Sequence, residues 1–144
     1  MENNLKLELL DLKEQSRIYM SKQKKGDNKL PTPEKVEKFE MLYPMVNSDL
    51  SEIRELSKKK QDEPLNKFKV RTINKKLEQV KTILVDEPTL EFLELLDEET
   101  LPSNSDAVLL ISQFVKALEQ FKSKYHTKDS SDFEIDYYSW KMAK

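Results

Sequence analysis

Residues 106–125 read DAVLLISQFVKALEQFKSKY. Within them Ala107, Ile111, Phe114, Leu118, Phe121 and Tyr125 recur at alternating four- and three-residue steps, the spacing of one face of an α-helix. Leu110, Val115 and Ala117 carry the apolar surface beyond a single seam, so this helix is expected at the centre of a bundle, touched on more than one side. The preceding Thr100-Leu101-Pro102-Ser103-Asn104-Ser105 is a loop rich in capping residues.

Toward the N-terminus the same logic repeats. Val70, Ile73, Leu77, Val80 and Leu84 form a heptad-like stripe, broadened at its start by Leu65 and Phe68, and Asp62-Glu63-Pro64 is expected to open that helix. Asp86-Glu87-Pro88 then starts a short helix over 88–96, with Leu90, Phe92, Leu93, Leu95 and Leu96 on several faces. Both its ends are acidic, so its C-terminus is poorly matched to the helix dipole.

Earlier still, Thr32-Pro33-Glu34-Lys35 combines an N-capping threonine with a proline at the first helical position. Val36, Phe39, Tyr43, Val46, Leu50 and Ile53 follow at helical spacing, with Pro44 among them. Pro44 removes a backbone hydrogen bond, and Asp49 followed by Glu52 resembles a second capping pair, which would divide the run in two. The apolar phase crosses Pro44 unbroken, which favours one helix, kinked there and ending near Lys60. A first helix is expected over 3–25 from Leu5, Leu9, Leu12 and Tyr19; it ends on Lys22, Lys24 and Lys25 before Gly26.

After His126 the helical pattern stops. Asp132-Phe133-Glu134-Ile135-Asp136-Tyr137 alternates acidic and apolar groups, which favours an extended conformation, and the chain offers no evident second strand to pair with it. The expected fold is therefore all-α: an antiparallel four-helix-type bundle over 1–126, with one extra short helix, followed by a flexible or docking tail over 127–144. Whether that tail docks on its own bundle or on another chain is left open by the residues.

Composition narrows the function classes. The 144 residues contain one glycine, which excludes a P-loop or a dinucleotide-binding fingerprint, and no cysteine, which excludes disulfides and thiolate chemistry. Apolar residues make up 37% and charged residues 36%, a balance suited to thin amphipathic elements with large solvated faces. The start, Met1-Glu2-Asn3-Asn4, does not read as a secretory signal, and no apolar run is long enough to span a bilayer, so the expected location is the cytoplasm, away from membranes.

Chemistry-bearing motifs are scarce. The single histidine, His126, lacks a recognisable serine or carboxylate partner and is expected exposed at a helix end. Glu91, Glu94 and Glu98 would share one helical face, but the Glu-x-x-His pairs of a di-iron bundle are missing. Asp132, Glu134 and Asp136 imitate the start of a calcium loop that Tyr137 and Ala143 then spoil at its sixth and twelfth positions. No catalytic, cofactor-binding or metal-binding residue is assigned, and the protein is expected not to be an enzyme.

The charge distribution points to association. The formal net charge is only −2, yet residues 54–81 carry ten basic side chains against four acidic, and residues 86–106 carry eight acidic and none basic. Partner binding, with another protein as the partner, is expected through Glu91, Glu94, Asp97 and Glu98 and through the tail aromatics Phe133, Tyr137, Tyr138 and Trp140. The alternative is a nucleic-acid accessory role for the basic helical surface from Arg54 to Lys81, through Lys67, Lys69, Arg71, Lys75 and Lys76 foremost, weakened by the scarcity of arginine. The heptad from Val70 to Leu84 leaves homodimerisation open beside the favoured intramolecular packing.

Overall fold

A computed structural model describes residues 29–129 and 137–143. They form three α-helices, α1 (Pro33–Lys59), α2 (Lys67–Ile83) and α3 (Asn104–Tyr125). A 3-10 turn (Pro88–Phe92) precedes α3, and an antiparallel pair of strands comes after it, β1 (His126–Asp129) and β2 (Tyr137–Trp140). The architecture is thus mostly helical with a small sheet. The expected fourth helix, over 3–25, lies outside the described residues.

Thr32 caps α1 by accepting a hydrogen bond from the Lys35 backbone N–H (3.3 Å), and Pro33 begins the helix. The helix runs through Pro44 without a break. An interior proline costs about 3 kcal/mol. Val36, Phe39, Leu42, Val46, Leu50 and Ile53 are all buried along one face, at about 1.5–3 kcal/mol each, so their burial outweighs the defect. Asp49 caps nothing; its carboxylate accepts from Lys76 on α2 (2.8 Å).

α2 begins later than Asp62-Glu63-Pro64 suggests. The Asn66 side chain accepts from the Lys69 N–H (2.8 Å) and fixes the start at Lys67, while Pro64 forms a bridge with Ser103. Around that bridge two loops are stitched together: Leu65 N–H donates to the Pro102 carbonyl, Asn104 N–H to that of Glu63 and Ser105 N–H to that of Gln61. The buried Asn104 side chain adds a bond to the Lys60 carbonyl (2.8 Å).

The short helix over 88–96 is corrected. Only Pro88–Phe92 coils, as a 3-10 turn without a side-chain cap, and the chain is extended from Leu93. Leu93 and Leu96 reach the core from that extended backbone. Asn74 of α2 stands in for a neighbouring strand, donating to the Leu96 carbonyl (2.8 Å) and accepting from the Leu96 N–H (3.0 Å).

α1 shares its most extensive contacts with α3 and also packs along α2, whereas α2 and α3 touch only lightly. The common partner of both other helices is therefore α1, although α3 is indeed contacted on several sides, by α1, α2, β1 and the 3-10 turn. Ser103 caps α3 through the Asp106 N–H (3.1 Å).

The expectation of an unpaired extended tail is also corrected. Tyr137–Trp140 pairs with His126–Asp129, in the register His126 to Trp140 and Asp129 to Tyr137. β1 has no apolar alternation to announce it; its extended form comes with the ladder it makes with β2. Two more bonds hold the chain beyond β2, from Lys141 N–H to the Tyr125 carbonyl and from Ala143 N–H to the Pro31 carbonyl (both 2.8 Å).

Candidate partner-binding surface

The strongest surface candidate is the acidic segment that links α2 to α3. Its ends are tied inward. Asp86 accepts from Lys29 (3.1 Å) and Lys35 (3.2 Å). Burial alone would raise its pKa, but the hydrogen bonds and charges of the two lysines hold it below the ordinary carboxylate value. Glu87 accepts from the Tyr125 hydroxyl (2.8 Å) and pairs with Lys124 (3.3 Å). Burial and that bond to Glu87 raise the Tyr125 pKa.

Beyond Phe92 the segment is clamped by Asn74 and closed by a turn at Asp97, whose carboxylate accepts from the Glu99 N–H (2.8 Å) and the Thr100 N–H (3.1 Å). Those backbone bonds, that of Thr100 foremost, lower the Asp97 pKa. Asp97 is therefore a turn-former. Glu98 sits 3.9 Å from Arg71. Glu91, Glu94 and Glu99 are exposed and make no ion pair among the described residues. Between the first two, Phe92 is 68% exposed. The segment thus holds an exposed ring between two carboxylates that have no ion-pair partner among the described residues, on a backbone fixed from below by Leu93, Leu96 and Asn74. Glu91, Glu94 and Glu98 do not share a helical face, because no α-helix exists there.

The tail aromatics separate. Phe133 lies outside the described residues, and Tyr137 is placed only as the first residue of β2. Tyr138 is exposed and stacks on His126 at 5.9 Å between ring centres. Trp140 turns inward: its ring meets Phe39 (5.0 Å), His126 (5.0 Å) and Phe121 (5.9 Å), and its indole N–H donates to Glu40 (2.6 Å). Trp140 therefore covers its own bundle. His126 is half-buried under these rings instead of exposed, and an open depression beside it is lined by Glu119, Lys122, Ser123, His126 and Tyr138.

The basic face is partly answered from within. Lys69 pairs with Glu52 (3.5 Å), Arg71 with Glu98 (3.9 Å) and Lys76 with Asp49 (2.8 Å). The last pair is the closest of the three and both side chains are about four-fifths covered. Lys67 and Lys75 are exposed and without an ion pair among the described residues, and Phe68 beside them is exposed too.

Among the described residues no group of three or more histidine, cysteine or acidic side chains is placed to hold a metal ion. No helix among them is long and apolar enough to cross a membrane. Sequence reasoning missed Asn74 and the exposed Phe92 as parts of a site. The available signal was a polar residue interrupting the apolar stripe between Ile73 and Leu77, which in a core demands a fixed partner. Compared with protein-family models, with curated proteins and with solved structures, the chain has no match.

Proposed function

We propose that the protein is a non-enzymatic interaction module of the cytoplasm, an adaptor, regulator or inhibitor, whose contact surface is the Glu91–Glu94 face centred on Phe92. The observation that carries this reading is the exposed phenylalanine flanked by two acids that no described cation neutralises. An aromatic ring on a rigid backbone supplies contact area at small entropic cost, and uncompensated acids steer a cationic surface toward it. The partner chemistry this fits is a protein surface with an apolar pocket rimmed by lysine or arginine. Glu98 and Asp97 support the face from its edge, through Arg71 and through the turn.

The nucleic-acid alternative relies on Lys67, Lys69, Arg71, Lys75 and Lys76. Three of these five already face an acid of their own chain, which leaves Lys67 and Lys75 to meet phosphate. Arginine is the residue best suited to bidentate phosphate contact, and Arg71 is the one arginine of the five, which places this reading second.

The experiment is affinity capture from the native cell with wild-type protein and with the variant F92S/E91K/E94K, at low and raised salt. A protein held by the wild type, lost from the variant and released by salt is the expected result. An unchanged set of retained proteins would overturn the reading.

A further inference from the structure

Two exposed strips of opposite charge lie side by side on this fold. Phe68, Arg71, Lys75 and Glu78 follow at three- and four-residue steps on α2 and all four are exposed, so they line one outward face of that helix. Phe68 is 77% exposed, more than any other large apolar side chain of the described residues. The second strip is the acidic face of Glu91, Phe92 and Glu94, which leads on to Glu98. Asn74 binds Leu96 through two hydrogen bonds, and Arg71 stands 3.9 Å from Glu98. Rising residue number on α2 therefore meets falling number on the acidic segment. This sets Glu94 near the level of Lys75 and Glu78, and Glu91 nearer that of Lys81.

We infer that two copies of this chain pair through these strips, the α2 face of each lying on the acidic segment of the other. The inference rests on the reading that the Glu91–Glu94 face is a contact surface, and it names an occupant for that face, a second copy of the same chain.

Symmetry supplies the match. In a two-fold pair whose axis runs parallel to α2, between the two strips, each level of one strip meets the same level of the other strip in the second copy. Lys75 of each copy then faces Glu94 of the other, and Lys81 faces Glu91. Neither contact costs an ion pair already made, because these four side chains have none among the described residues. Phe68 and Phe92 lie toward opposite ends of the contact, and both rings are withdrawn from water in the pair. Glu78 is the acid out of place in the α2 strip; it meets Glu94 and weakens the match.

Size sets the strength. The seventeen residues of α2 span about 25 Å, and a helix beside one extended segment is about 15 Å wide. A pair of such faces buries on the order of 800 Å² in total, which belongs to weak and reversible contacts. A Kd of about 0.1 mM fits that size and leaves the face open in dilute protein. Added salt weakens the pair further, because its charges are exposed.

The test is sedimentation velocity of the full chain at concentrations spanning about 0.1 mM, in low and raised salt. A monomer–dimer equilibrium that salt shifts toward monomer is expected, without larger species, since a two-fold contact closes on itself. K75E and E94K each set like charges against one another at both symmetric contacts, and each should raise the dimer Kd about tenfold. Mixed in equal amounts, the two variants should pair again, because opposite charges then meet at both contacts. Circular dichroism matching that of the wild type shows that each variant is folded. A monomer throughout, a dimer indifferent to K75E and E94K, an open series of oligomers, or no recovery on mixing would each overturn the inference. The readout needs no other protein, so the two readings fail separately. A monomer whose capture of cell proteins is lost in F92S/E91K/E94K sinks the pairing alone. A dimer that passes the mixing test, with capture unchanged in that variant, sinks the reading that other proteins use the face.

Discussion

At the scale of single residues, Asn74 carries more than its size suggests. Its carboxamide satisfies both backbone groups of Leu96 inside the core, and an unpaired buried group costs about 1–3 kcal/mol. Asn74→Ala is expected to destabilise the protein by about 2–4 kcal/mol, two such groups being exposed to loss. Hydrogen exchange should show the residues after Leu93 losing protection first, and uniform loss along α2 would contradict that role. Asp86 gives a pH prediction. Its folded pKa is lowered by Lys29 and Lys35, against the effect of burial, so its contribution is complete above the unfolded value of about 3.9 and is lost as pH falls through the folded value. Asp86→Asn should flatten the acid limb of the stability profile below about pH 4, measured by urea unfolding at several pH values. Residues such as these were the least legible in the sequence. Asp49 and Glu52 looked like a capping pair but serve Lys76 and Lys69 on another helix, a pairing that depends on which helices become neighbours.

At the scale of elements, apolar periodicity was a reliable guide where many side chains enter the core together. It carried α1 through Pro44, placed α2 and placed α3 to within two residues of its start. Pro44→Ala should restore a backbone hydrogen bond in the middle of α1, stabilising the protein by up to about 3 kcal/mol and raising its thermal midpoint. An unchanged or lower midpoint would mean that α1 depends on the shape proline imposes. Periodicity failed where few residues decide. The segment after Phe92 resembled a helix by composition, yet one asparagine and two buried leucines made it extended. β1 was invisible because its His126-Thr127-Lys128-Asp129 sequence is polar, and a strand of this kind is defined by its neighbour. The hairpin makes Trp140 a reporter. Its emission should be blue-shifted in the native monomer and move red when the strands release, and Trp140→Ala should cost about 2 kcal/mol for a half-buried ring. A red emission maximum in the folded protein would contradict the inward placement.

At the scale of the whole molecule, the two ends of the bundle are closed by different means. One end is sewn by backbone hydrogen bonds between residues 61–65 and 102–105; the other is fastened by the ion pairs of Asp86 and Glu87 and by the aromatic cover of Trp140. Added salt should therefore loosen the second end selectively, which amide exchange in low and high salt would show as lost protection near Pro31 and Tyr125 with little change near Asn104. The lopsided charge of the sequence was legible, but its division into spent and unspent groups was not. Retention of a duplex oligonucleotide on filters at about 0.15 M salt is expected to be negligible, since three cations of the basic face are engaged. The bond from Ala143 to Pro31 has an engineering consequence. It sets the start and the end of the described fold side by side, so in a chain cut to residues 29–143 a few linking residues could splice the two into a closed ring. Such a circle would offer exopeptidases no terminus, and new openings could be cut into any exposed loop to ask which order of helices the fold requires.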